Sequence, residues 1–128
     1  MSRPSHKELF KKLREARNAV SDGRIAFLNQ VSITADAIEL GYDIGLEIAG
    51  VLEELFETAS PSDYTGLHPP QRSYEQNILG VELFAFTVSS RRFRCRVYLK
   101  FALVEDVLWL VSLHHDRSTI REQKDENC

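Results

Sequence analysis

At 128 residues, 43% of them hydrophobic, the chain is long enough for one ordinary core and too short for two comfortable domains. No apolar run approaches the roughly eighteen residues of a membrane span, and the start MSRPSHKELFKK lacks the apolar centre of a secretory signal. These features predict a single-domain cytoplasmic protein with no membrane partner. A formal net charge of −3 argues against a uniformly basic nucleic-acid binder, but the charge is segregated along the chain, and a polyanion meets a local patch and not the total.

Residues 1–24 carry seven basic and three acidic side chains. Within them Ser5 and Glu8 match a capping box, and Leu9, Leu13, Ala16 and Val20 share one helical face before Asp22-Gly23 ends the pattern. The exposed face of this first helix holds Lys7, Lys11, Lys12, Arg14 and Arg17.

Residues 25–71 hold eight acidic side chains and no Lys or Arg. Thr34 is read as the cap of a short helix through Leu40, stopped by Gly41, and Asp43 as the cap of a longer one ending near Thr58. Ile44, Ile48, Val51, Leu52 and Leu55 form the buried stripe of that second helix. Its outer face is acidic through Glu47, Glu53, Glu54 and Glu57, expected to be solvated or to meet a basic patch.

The stretch 60–80, SPSDYTGLHPPQRSYEQNILG, shows neither helical nor strand period and reads as a long loop. Three strands follow, VELFAFTV (81–88), FRCRVYLKF (93–101) and VLWLVSL (107–113), joined by turns at 89–92 and 103–106. Connections this short make neighbouring strands antiparallel. The expected fold is therefore α+β, with N-terminal helices (1–59) packed on a C-terminal antiparallel sheet of three or slightly more strands (81–117) and a polar tail at 118–128.

Alternation divides the middle strand. Cys95, Val97, Leu99 and Phe101 belong to a core, with Cys95 read as a small buried hydrophobe and no disulfide expected in a reducing compartment. Arg94, Arg96, Tyr98 and Lys100 share the opposite face, which must meet water or an anion, since burying three charges costs several kcal/mol each. Two readings stay open: pairing with surface carboxylates, worth only about 0–1 kcal/mol per exposed pair, or a phosphate-binding surface on which Tyr98 offers a stacking platform for an RNA base. The last strand runs into Leu113-His114-His115-Asp116-Arg117. One of the two histidines must join the Arg/Tyr/Lys face, and imidazole exchanges protons near neutral pH. A two-residue turn before the last strand selects His115, and a three-residue turn selects His114.

Tyr98, Lys100, Arg96 and one of His114 and His115 make a kit for cleaving RNA by 2′-hydroxyl attack, with a base, an acid and cations on the phosphate. Arg91 and Arg92 form a rim for phosphate approach at the turn, and Arg94 on the strand face, Arg117, His68 and Arg72 are further substrate-binding candidates. No metal-ligand spacing or cofactor motif is present, so neither a metal nor another cofactor is expected.

The segment RVYLKFALVEDVLWLVSLHHD (96–116) resembles the C-terminal hairpin of the MqsR family of bacterial ribonuclease toxins and, more distantly, the RelE and YoeB toxins, whose last strand ends in a His-containing motif. The preceding AIELGYDIGLEIAGVLEELFETASPSDY (37–64) is similar to the family's helix–helix region. The resemblance implies a RelE-like fold and an mRNA endoribonuclease, sequence-selective or ribosome-dependent, neutralised by a cognate antitoxin protein. It sets Tyr98 on the family's strand tyrosine, Lys100 on the lysine two positions later, and His114 or His115 near the terminal basic residue. FETASPSDY stands where the family has a Phe-Tyr-Lys-Ser motif, and VELFAF where a Trp-Gln pair precedes the first strand. A different class of function, a non-catalytic protein- or RNA-binding module, would use the acidic helix face to hold a basic partner and the basic strand for internal pairing.

Overall fold

The computed structural model describes residues 3–117, so the polar tail expected at 118–128 lies outside the described residues. Helix α1 (His6–Ser21) begins where the Ser5 side chain accepts from the Glu8 backbone N–H, as the capping box predicts. A three-residue strand, β1 (Ile25–Phe27), precedes α2 (Gln30–Leu40) and α3 (Ile44–Thr58). Helix α2 starts earlier than expected, because Asn29 and not Thr34 is its cap, with Asn29 Oδ1 accepting from Ser32 N–H. Gly41 ends it in the left-handed region, at φ 93°, where a side chain would be strained. Asp43 caps α3 by accepting from the backbone N–H groups of Gly45 and Leu46.

The 60–80 stretch is more ordered than a bare loop. It contains 3-10 turns at Pro61–Asp63 and Gln76–Ile78 and lies against the sheet edge through the bridge Tyr64↔Phe86 and the hydrogen bond from Leu83 N–H to Gln71 O. Strands β2 (Phe84–Ser90), β3 (Cys95–Val104) and β4 (Val107–His115) form the antiparallel meander, shifted a few residues from the expected limits.

The architecture is α+β, with helices first and the main strands last, but the sheet is mixed and not purely antiparallel. Its order is β1-β4-β3-β2, and β1 runs parallel to β4. Three residues cannot display an alternation, and the partner of β1 lies some eighty positions away, so no local pattern announced it.

One sheet face packs on the helices. Phe86, Leu99, Phe101, Leu110 and Leu113 are fully buried there with Leu52 and Leu55 of α3 and Ile33 of α2. The Phe56 ring meets Phe101 edge-on at 5.2 Å, and Phe86 stacks on Phe101 at 6.0 Å. Cys95 is buried in this core as expected, but disulfide-bonded and not as a free thiol. At one end of the other face, Ile78, Leu83 and Ala102 form a second cluster with Trp109 and Val111. The remaining end of that face carries the polar residues, partly buried beneath the loop.

Two backbone features set which residues appear there. The β3–β4 turn has two central residues, Glu105 and Asp106, both at positive φ (50° and 68°), the hairpin geometry that matches strand twist. The register then slips between Lys100 and Phe101: Phe101 pairs with Leu110 but Lys100 with Ser112, leaving Val111 as a bulge. The bulge reverses the parity of everything beyond it. Leu110 and Leu113 both reach the core, and His114, not His115, stands opposite Tyr98.

Candidate nucleic-acid interface

The register lines up Thr87 of β2, Tyr98 of β3 and His114 of β4 across the sheet face turned away from the helices, with Ala85, Lys100 and Ser112 in the next row. Tyr98 and His114 stack with ring centroids 5.1 Å apart and planes at 20°. Burial raises the Tyr98 pKa above that of an ordinary phenol, so the hydroxyl stays protonated at neutral pH and can donate. His114 Nδ1 lies 2.7 Å from the carbonyl oxygen of His115. A carbonyl only accepts, so Nδ1 carries the proton, and in the neutral ring Nε2 is left as the basic nitrogen.

The loop supplies a wall. Thr65 N–H donates to Ala85 O, and its hydroxyl lies 3.1 Å from that of Thr87, which is itself only 5% exposed. Gly66 allows the chain to fold back there, because a Cβ at that position would fall 2.7 Å from the Tyr64 hydroxyl oxygen. Thr65 and Tyr98 together divide two adjoining cavities. One, about 350 Å³, is lined by Thr87, His114, Asp116 and Arg117; the other, about 240 Å³, by Leu67, Gln71, Leu83 and Lys100.

The remaining candidates are distributed unequally. Arg96 Nε is 3.8 Å from Asp116 Oδ2, and Arg117 Nη2 is 3.5 Å from Asp36 Oδ1 on α2, so both lie beside the first cavity with a carboxylate partner. His115 is on the helix side, its Nδ1 3.7 Å from Glu39 Oε1. Arg94 is not a strand residue: it sits in the 91–94 turn at φ 58°, exposed. Arg92 is paired with Glu47 of α3, and Glu54 accepts from the Ser90 hydroxyl (3.0 Å) and the Arg91 N–H (3.3 Å), so part of the acidic helix face meets the basic segment directly. Among the described residues, Arg91, Arg94 and Lys100 are the cations of the 91–100 run that carry no ion pair.

His68 and Arg72 line neither cavity. His68 Nδ1 is 3.1 Å from the carbonyl oxygen of Arg3, and its ring meets Tyr64 edge-on; Arg72 Nη1 donates to Gly80 O at 2.9 Å. Both hold the loop in place. Sequence reasoning did not find Thr65, Gln71 and Thr87. Thr87 left a signal, as the one hydroxyl in the apolar run FAFTV, whereas loop residues carry no period to place them. No helix among the described residues is long and apolar enough to cross a membrane, and no group of three His, Cys, Asp or Glu side chains among them is placed to hold a metal ion. No protein-family model matches the chain, and no curated protein matches it.

Proposed function

We propose that the protein is an mRNA-cleaving toxin of a toxin–antitoxin pair, related to the MqsR and RelE-type ribonucleases and acting in the cytoplasm without a metal or other cofactor. The observation that carries this reading is the Tyr98–His114 stack beside Lys100 at the polar end of the sheet face turned away from the helices. In the proposed reaction His114 Nε2 takes the proton of a ribose 2′-hydroxyl. The freed oxygen attacks the adjacent phosphorus, and Lys100, with Arg91 and Arg94 at the rim, holds the charge that builds on the phosphate oxygens. The bond to the 5′-oxygen breaks, and that oxygen takes the Tyr98 phenol proton, which the His114 imidazolium restores through water. The products are a 2′,3′-cyclic phosphate and a 5′-hydroxyl. Arg96 acts as part of the electrostatic clamp when it exchanges Asp116 for phosphate.

A second reading has its own support. Arg92, Arg96 and Arg117 are each matched to a carboxylate, which suits a protein- or RNA-binding module without catalysis. End-group analysis of single-stranded RNA incubated with the purified chain separates the two. The nuclease leaves cyclic phosphate ends and spares RNA carrying 2′-deoxyribose at the cut position. Intact RNA, together with normal growth of cells expressing the chain alone, contradicts the toxin reading and leaves the binding module.

A further inference from the structure

We infer that the paired cavities form a two-nucleotide site in which Gln71 selects the base on the Lys100 side. The inference rests on the nuclease reading for its choice of RNA as ligand. The wall between the cavities is Tyr98 with Thr65, and the proposed base and the phosphate-holding cation fall on either side of it, His114 in one lobe and Lys100 in the other. A phosphate seated over the Tyr98 hydroxyl therefore has a lobe on each flank, and the bases it joins must be splayed apart, the form in which single-stranded RNA exposes its base edges.

The two lobes differ in chemistry. The His114 lobe offers the Asp116 carboxylate, 11% exposed beside Arg96, and the Arg117 guanidinium held by Asp36. The Lys100 lobe mixes polar and apolar surface, with Leu67 and Leu83 available to a base face, and Gln71 is the one side-chain amide in its lining. An amide presents a donor and an acceptor together, which is what distinguishes one base edge from another. Gln71 is also held in place, since its backbone carbonyl accepts from Leu83 N–H at 2.7 Å, so truncating the side chain leaves the loop anchored.

The test has two arms on the full-length chain. In the first, a pool of randomised single-stranded RNA is cleaved and the cut sites are sequenced for wild type and Gln71→Ala. In the second, dinucleotides with 2′-deoxyribose at the attacking position are titrated while the backbone amide resonances of Thr65, Gln71, Lys100 and His114 are followed. The expected result is a preference at both positions flanking the cut, shifts in both lobes, and loss of about tenfold or more of the discrimination at one position only in Gln71→Ala. RNA that is cut with a preference unchanged in Gln71→Ala overturns the inference and leaves the nuclease reading intact. Dinucleotides that shift both lobes while RNA stays whole overturn the nuclease reading and keep the two-nucleotide site. Neither cutting nor shifts overturns both.

Discussion

In the proposed reaction, the roles of His114 and Tyr98 follow from their surroundings more than from their identities. A histidine whose Nδ1 donates to the His115 carbonyl presents Nε2 as a base, and a phenol kept protonated by burial is a donor at neutral pH. Tyr98→Phe keeps the ring that stacks on His114 and removes only the hydroxyl. Cleavage by this variant is expected to fall by about 10²-fold or more, with an unchanged melting temperature, measured by single-turnover kinetics and thermal unfolding. Tyr42 offers a residue-scale test of the core. It is 6% exposed, its hydroxyl has no hydrogen-bond partner among the described residues, and burial, followed by the charge of Asp36, pushes its pKa up to about 12. The folded state therefore holds this proton more tightly than the unfolded chain, whose tyrosines ionise near 10. The corresponding stability is complete below about pH 10 and is lost as pH rises toward 12. Tyr42→Phe removes a buried unpaired hydroxyl, so it is expected to match or exceed wild-type stability at pH 7, by about 1 kcal/mol, and to lose less between pH 10 and pH 12. Denaturant titrations at several pH values measure both.

Among the elements, helices α1 and α3 were legible because their caps, Ser5 and Asp43, are strong local signals followed by regular apolar stripes. Helix α2 was legible only in its second half: Val31 and Ile38 are exposed apolar residues that blur its period, and Thr34 competes with Asn29 as a cap. The strands were legible by alternation, but which histidine shares the Tyr98 face was not. A two-residue turn by itself implies His115, whereas the Val111 bulge, which depends on Leu110 and Leu113 both reaching the core, delivers His114. Arg94 departs from the alternation for a related reason, since a turn residue at positive φ belongs to neither face of the strand. The link between α3 and the β2–β3 turn was foreseen only as an acidic face meeting a basic patch. Glu54 is its centre, accepting from Ser90, 4% exposed, and from the Arg91 N–H. Glu54→Ala leaves the buried Ser90 hydroxyl without that acceptor, at an expected cost of about 1–3 kcal/mol. Glu54→Gln retains an acceptor oxygen and is expected to lose less; chemical denaturation of the two variants checks the order.

At the scale of the molecule, the acidic total conceals a basic end of the sheet, partly neutralised from within. Arg91, Arg94 and Lys100 carry no ion pair among the described residues, while Arg92, Arg96 and Arg117 are held by Glu47, Asp116 and Asp36. If only the first three meet phosphates, the logarithm of RNA affinity should fall against that of salt with a slope of roughly −2; exchange of all six to phosphate steepens it toward roughly −4. Binding titrations across a salt series distinguish the two cases. The charge segregation that motivates this expectation was visible in the sequence, and carboxylate pairing was one of its two open readings; the individual partners were not legible, because Glu47 and Asp36 are brought in by α3 and α2.

The central claim is that His114 is the proton-transferring group and His115 is not. Single-turnover cleavage of one single-stranded RNA by the wild type, His114→Ala and His115→Ala, with folding of each checked by thermal unfolding, tests it directly. The account predicts a loss of at least about 10²-fold in His114→Ala and a much smaller change in His115→Ala, whose ring faces Glu39 on the helix side. Wild-type cleavage by a folded His114→Ala, or a loss confined to His115→Ala, would contradict it.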